Sequence, residues 1–232
     1  MSRVNRWCLV LAVAAPLALA GCSSEPPPLE FGAARPSGPK LDARPAANSS
    51  LPLAQWPNAC EVLSDAEIRS VLPQATDVAR DPVKVTIIDF NPLSEAAPGT
   101  TGDVPAGGCA FRFGLPSTYE SAHNSSVKVT FTAVADPALV QRHYAEDLAD
   151  ARKRAGEGAY KKEFRDLGTS LGTEGCFLPD VSDGPTCHQG PYQFEVSGMS
   201  TADGVGEYPQ SKRNWTEKVL TQVVRTLGPR MR

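Results

Sequence analysis

Four cysteines, Cys60, Cys109, Cys176 and Cys187, constrain this chain more than any other feature, because the segment that opens it reads as an export signal. Arg3 and Arg6 precede an apolar run of 14 residues, 7–20, interrupted by Pro16. A helix needs about 20 apolar residues to cross roughly 30 Å of hydrocarbon, so the run reads as a signal peptide, 1–21, that is removed after export. An even number of cysteines in an oxidising compartment then predicts two disulfides. Of the three possible pairings, Cys60 with Cys109 and Cys176 with Cys187 keeps each bridge within one half of the domain. Loop entropy values them at about 4 and about 3 kcal/mol as upper guides. Zinc is the competing use of four cysteines. No two of them form a C-x-x-C pair, no histidine stands at ligand spacing and exported thiols oxidise, so neither a metal nor a cofactor is expected.

Leu19, Ala20, Gly21 and Cys22 resemble the bacterial lipobox at all four positions. The resemblance implies cleavage between Gly21 and Cys22, diacylglycerol on the Cys22 thiol and a further acyl group, such as palmitate, on the new amine. A cysteine thiolate is well suited to take up lipid, and two or three buried acyl chains hold where one binds only marginally. The alternative is an ordinary secretory signal followed by an incidental cysteine. The lipobox reading places the protein on the extracytoplasmic face of the cell membrane.

Without Arg3 and Arg6, 21 basic residues face 26 acidic ones, a net charge of −5. Nucleic-acid binding depends on clustered Lys and Arg, and no such cluster occurs. Residues 23–57 hold eight prolines in 35 residues and few aromatic or β-branched side chains. Such a stretch buries little apolar area against the entropy of ordering, so 22–57 is expected as a lipidated, flexible, Pro-rich tether. In extended polyproline geometry it would reach up to roughly 100 Å. Residues 58–232 then form a single domain.

Within that domain, Ser64 and Glu67 make an S-x-x-E capping box, with Leu63 and Ile68 as a hydrophobic staple, and Pro73 stops the helix. Strands are expected at 83–90, 108–113 and 127–134. In the last, Val127, Val129, Phe131 and Ala133 alternate with Lys128, Thr130 and Thr132, as a half-buried antiparallel strand requires. Residues 91–107 read as a surface loop. Asp136 and Pro137 open a second helix, whose apolar positions are Val140, Tyr144, Leu148 and Ala151. Strands follow at 161–167, 175–178 and 192–197. A closing helix, 215–227, is expected to be capped by Asn214 with Glu217 and to bury Val219, Leu220, Val223, Val224 and Leu227.

Cys60 before a capped helix, the Gly-Cys-Ala-Phe strand at 108–111, a central helix, the Leu167–Gly168 step and the apolar C-terminal helix together resemble a family of actinobacterial cell-envelope lipoproteins of unknown function. The resemblance covers roughly 58–227. It implies an α+β fold, an antiparallel sheet with helices packed on it in the manner of the photosystem-associated PsbP fold, and it brings no catalytic residues.

Two functional classes emerge. One is a non-catalytic binding or interaction module that takes a small apolar ligand or an envelope protein. The other is a serine hydrolase acting on cell-envelope esters through Ser170. Gly168 to Gly172 matches G-x-S-x-G, and Asp180 or Asp183 followed by His188 gives the hydrolase chain order. That elbow needs a long helix straight after it, and 173–179 has no helical period, so the binding module is the preferred reading. His123 and His143 read as ordinary surface residues. The sequons at Asn48, Asn124 and Asn214 carry no weight in the bacterial chain that the lipobox resemblance implies, and the Val-Lys-Val-Thr at 83–86 and 127–130 is too short to establish duplication. Cys22→Ser is expected to leave an unprocessed or soluble protein. Detergent partitioning checks this, and partitioning equal to wild type would remove the lipid anchor.

Overall fold

The computed structural model describes residues 26–90, 100–118, 121–157, 163–180 and 183–231; Gly21, Cys22 and the segment expected as a signal peptide lie outside them. Seven strands build one sheet: β1 (Thr76–Phe90), β2 (Thr100–Gly114), β3 (Ser125–Val134), β4 (Arg165–Gly168), β5 (Gly175–Leu178), β6 (Thr186–Gln189) and β7 (Tyr192–Ser200). Their order is β1-β2-β3-β7-β6-β5-β4, and every neighbouring pair is antiparallel. The fold is therefore α+β with an antiparallel sheet, as the alternation in β3 requires. Among the described residues no helix is long and apolar enough to cross a membrane.

Each sheet face meets a helix. The alternate residues Phe111, Phe113, Val127, Val129, Phe131, Phe194 and Val196 point into the main core. The C-terminal helix covers them with Trp215, Val219, Leu220, Val223, Val224 and Leu227, and Trp215 stacks on Phe113 at 6.3 Å. Helix α1 (Asp65–Val71) touches that helix from the side. On the opposite face lies α2 (Pro137–Gly156), which Asp136 caps by accepting from the Ala138 N–H at 2.9 Å. It packs Tyr144 and Ala151 on Phe177 of β5 and leaves β1 to β3 uncovered on that side.

Both disulfides form as the spacing suggests. Cys60, in the turn before α1, bonds Cys109 of β2 with Cα atoms 5.0 Å apart, pinning that turn to the sheet. Cys176 bonds Cys187 at 4.1 Å. The second bridge joins two adjacent strands, because Cys187 belongs to β6 and pairs directly with Cys176, rather than closing a loop.

Several local expectations give way to tertiary pairing. Of the expected loop 91–107, residues 91–99 lie outside the described set and the rest is strand, since β2 begins at Thr100 and pairs with β1. Pro105 and Gly107, poor strand residues, fall where the register slips between Val83↔Gly108 and Val85↔Val104, and such a bulge tolerates a residue without an N–H. The strand expected at 161–167 is Arg165–Gly168, residues 161 and 162 lying outside the described set. The closing helix starts five residues before its expected start at 215: α3 (Gln210–Trp215), a π-helical stretch (Thr216–Leu220) and α4 (Thr221–Leu227) run on without a break. Asn214 is thus inside the helix, and its side chain donates to the Val205 carbonyl at 2.8 Å instead of capping.

The largest correction concerns 26–57, which is not a free tether. It is a strap laid along the domain. Gly32 and Ala33 donate to the carbonyls of Val71 and Ser70, Leu41 donates to Arg230, and Asp136 donates to Ser49. Leu51 and Trp56 are buried, and Leu29, Phe31, Leu41 and Leu53 pack on the core. Prolines lose little freedom on ordering, so this stretch costs less to fix than its low apolar content implies.

One buried ion pair joins the strap to both ends of the domain. Glu67, the capping-box residue of α1, is fully buried and lies 3.0 Å from the nearly buried guanidinium of Arg230. The Glu67 carboxylate also accepts from the N–H groups of Ser37, Gly38 and Ser64 and from the Ser64 hydroxyl. Arg230 donates onward to the carbonyls of Val62 and Pro39. A side chain at Gly38 would collide with that guanidinium. Burial opposes ionisation of Glu67, but the N–H groups of Ser37, Ser64 and Gly38 and the Arg230 charge outweigh it and hold the carboxyl below its usual value. Stability from this group is therefore present above about pH 4.5 and is lost as pH falls through the lower folded value. Arg230→Met is expected to cost about 3–5 kcal/mol in urea unfolding, because it strands a buried charge, and Glu67→Gln in the same chain is expected to restore part of it.

Candidate functional site

The uncovered half of the sheet carries a groove of about 600 Å³. Its floor follows from strand alternation, since residues whose neighbours fill the main core must point the other way. Ala110 of β2 stands opposite Lys128 of β3, Lys128 opposite Ser197 of β7, and Ser126 opposite Met199. Glu195 stands between Thr130 and Thr186. The wall comes from Pro179, Asp183 and Gly184 in the β5–β6 connection, and Lys212 of α3 closes one side.

The lining is amphiphilic. Three hydroxyls, two ammonium groups and two carboxylates surround an apolar strip that ends in Met199, which is 57% exposed. Protein crowds Glu195 even though part of its surface meets solvent. That desolvation, and then the negative field of Asp147, raises its carboxyl above the ordinary value, while Lys128 pulls it down. The groove can thus offer hydrogen bonds of both senses and one carboxyl that holds its proton more tightly than usual. Among the described residues no group of three or more His, Cys, Asp or Glu is placed to hold a metal.

The residues of the G-x-S-x-G match lie elsewhere. Gly168 ends β4, and 169–174 turn directly into β5, so the pentapeptide is a strand-to-strand turn with positive φ at Gly168 and Gly172. Ser170 is exposed, with its N–H bonded to the Leu167 carbonyl. His188 is buried beneath α2: its ring lies 4.3 Å from that of Tyr144, and Nδ1 is 3.6 Å from a Glu174 carboxylate oxygen. Burial lowers the pKa of His188 and Glu174 opposes that. The Asp183 carbonyl accepts from the Thr216 hydroxyl.

The remaining polar residues singled out in the sequence hold structure. His123 lies 2.9 Å from the Asp77 carbonyl. His143 is no ordinary surface histidine: its Nδ1 lies 2.9 Å from Gln193 Oε1, which requires the proton on Nδ1, and Gln193 donates in turn to Asp147 at 2.6 Å. These contacts fasten α2 to β7. Asn124 clamps the backbone of Leu115 with both side-chain atoms. Sequence reasoning missed Glu195, Met199 and Lys212, although Glu195 sits in the polar phase of a strand whose alternation was visible.

Compared with models of protein families, with curated proteins and with solved structures, the chain matches none.

Because Glu195 is harder to ionise in the fold than in the unfolded chain, its stabilising share is full at low pH and lost as pH rises through the folded value. Glu195→Gln is expected to raise the melting temperature at neutral pH and to leave it unchanged near about pH 3, where the carboxyl is protonated in both states. Lys128→Ala should move the Glu195 carboxyl titration, followed by NMR, to higher pH.

Proposed function

We propose that this protein is a lipid-anchored, non-catalytic binding module on the extracytoplasmic face of the cell membrane. In this reading Cys22 carries the acyl chains, and the sheet and helices are the PsbP-like arrangement that the resemblance to actinobacterial envelope lipoproteins implies. The observation that carries the binding role is the groove on the uncovered half of the sheet. An antiparallel sheet face left open to water normally carries a plain polar surface. Here the β5–β6 connection and Lys212 rise around it to leave a walled space lined by Ser126, Lys128, Glu195, Ser197 and Met199. Its volume suits a small ligand. The mixture of an apolar strip with hydroxyls and ammonium groups suits an amphiphile, one end of which is anionic.

A dansylated fatty acid is a suitable probe. It is expected to bind saturably to the purified mature domain, and Ser197→Trp, which fills the groove floor, is expected to weaken binding at least about tenfold, ~1.4 kcal/mol, with the melting temperature kept. Unchanged binding in Ser197→Trp would remove the groove from the function. Labelling by a fluorophosphonate that vanishes in Ser170→Ala would put an ester hydrolase in its place.

A further inference from the structure

We infer that the domain stands directly on the lipid surface, with one defined end of the sheet facing the bilayer: the end formed by the start of β1, the end of β2, the start of β3, the end of β7 and the 201–209 connection. This rests on the proposed lipid at Cys22. The strap enters the domain at that end. Pro26 and Pro27 line a cleft with Thr76, Gly114 and Leu115. The Gln74 side chain holds the Pro28 carbonyl at 3.0 Å and the Glu30 N–H at 2.8 Å, and Leu29 lies against Gly204. From there the strap follows the sheet to its opposite end, where Ser49 accepts from Asp136.

Length then decides orientation. Six peptide steps separate Cys22 from Pro28, at most about 20 Å when fully extended. The ten residues of β3 alone span about 33 Å. The link is shorter than the sheet, so the far end cannot be turned to the membrane. An independent observation points the same way. Among the described residues the exposed large hydrophobics are Met199 and Tyr208, 57% and 77% exposed, and both lie at the strap-entry end. The Lys212 ammonium sits 5.7 Å from the centre of the Tyr208 ring. A tyrosine rim beside a lysine on an aliphatic stem suits the headgroup layer, where one part is apolar and the other wet. The Met199 end of the groove therefore opens toward the lipid.

The test uses the full lipidated protein in vesicles of phosphatidylcholine and phosphatidylglycerol carrying a headgroup-linked energy acceptor. A donor dye is placed on Ser121→Cys, at the entry end, or on Ala47→Cys, at the far end; both positions are exposed. Transfer is expected to be at least about twofold greater from 121 than from 47, given the sheet length between them. A flexible Gly/Ser insert of about twelve residues before Pro26, which lets the domain tumble, should abolish the difference. Equal transfer from both positions in protein that floats with the vesicles would overturn the orientation and leave the anchor standing. Failure of the wild-type protein to float would remove the anchor and the orientation together.

Discussion

Glu67 carries a charge into a buried position, and the rest of the chain is arranged to make that tolerable. An isolated buried carboxylate costs several kcal/mol, so it persists only with full hydrogen bonding and a matched cation. Its donors come from three places far apart in sequence: Ser37 and Gly38 in the strap, Ser64 at the start of α1 and Arg230 at the end of the C-terminal helix. None of these segments can leave without stranding the others. A capping box that in isolation would fix one helix end here fixes the register of the strap and the closing turn as well.

The strap shows why low apolar content is an incomplete guide to disorder. Its few large side chains are spaced so that Leu29, Phe31, Leu41, Leu51, Leu53 and Trp56 reach the core at intervals, and Phe31 additionally lies under the Lys218 ammonium at 4.8 Å. Prolines between them hold the backbone close to the extended path it needs. Backbone N–H groups that are not proline bond to carbonyls left over at the end of α1 and at the edge of β3, through the Ser50↔Ala135 bridge. Ordering thus draws on reduced chain entropy and on spare backbone partners, neither of which hydrophobicity measures.

The same economy of coverage creates the groove. Helix α2 covers β5, β6 and only the first residues of β7, fastened there by Tyr144 on Phe177 and by the His143–Gln193–Asp147 contacts. The rest of that face must meet water, and its residues are accordingly Ser126, Lys128, Thr130 and Ser197. The raised carboxyl of Glu195 arises at the boundary between the covered and uncovered halves, where crowding by protein and then the field of Asp147 of α2 raise it and Lys128 on the open side pulls it part of the way back.

Local periodicity and end signals were enough to read α1 with its capping box, the start of α2, the core phase of β3 and the buried stripe of the C-terminal helix. These depend on contacts within a few residues. The two disulfides were legible too, because four cysteines leave few pairings and the half-by-half one was the simplest. Tertiary structure alone decided the length of β1 and β2, the existence of β6, the early start of the C-terminal helix and the ordering of the strap. In each, a segment with weak or contrary local preference, Pro105 and Gly107 in β2 or the prolines of 26–57, is held by hydrogen-bond partners distant in sequence. The groove follows the same division: alternation marked Lys128 and Thr130 as the polar phase of their strand, but which half of the polar face stays open depends on where α2 and the β5–β6 connection come to rest, and that is fixed by packing between segments that no local pattern encodes.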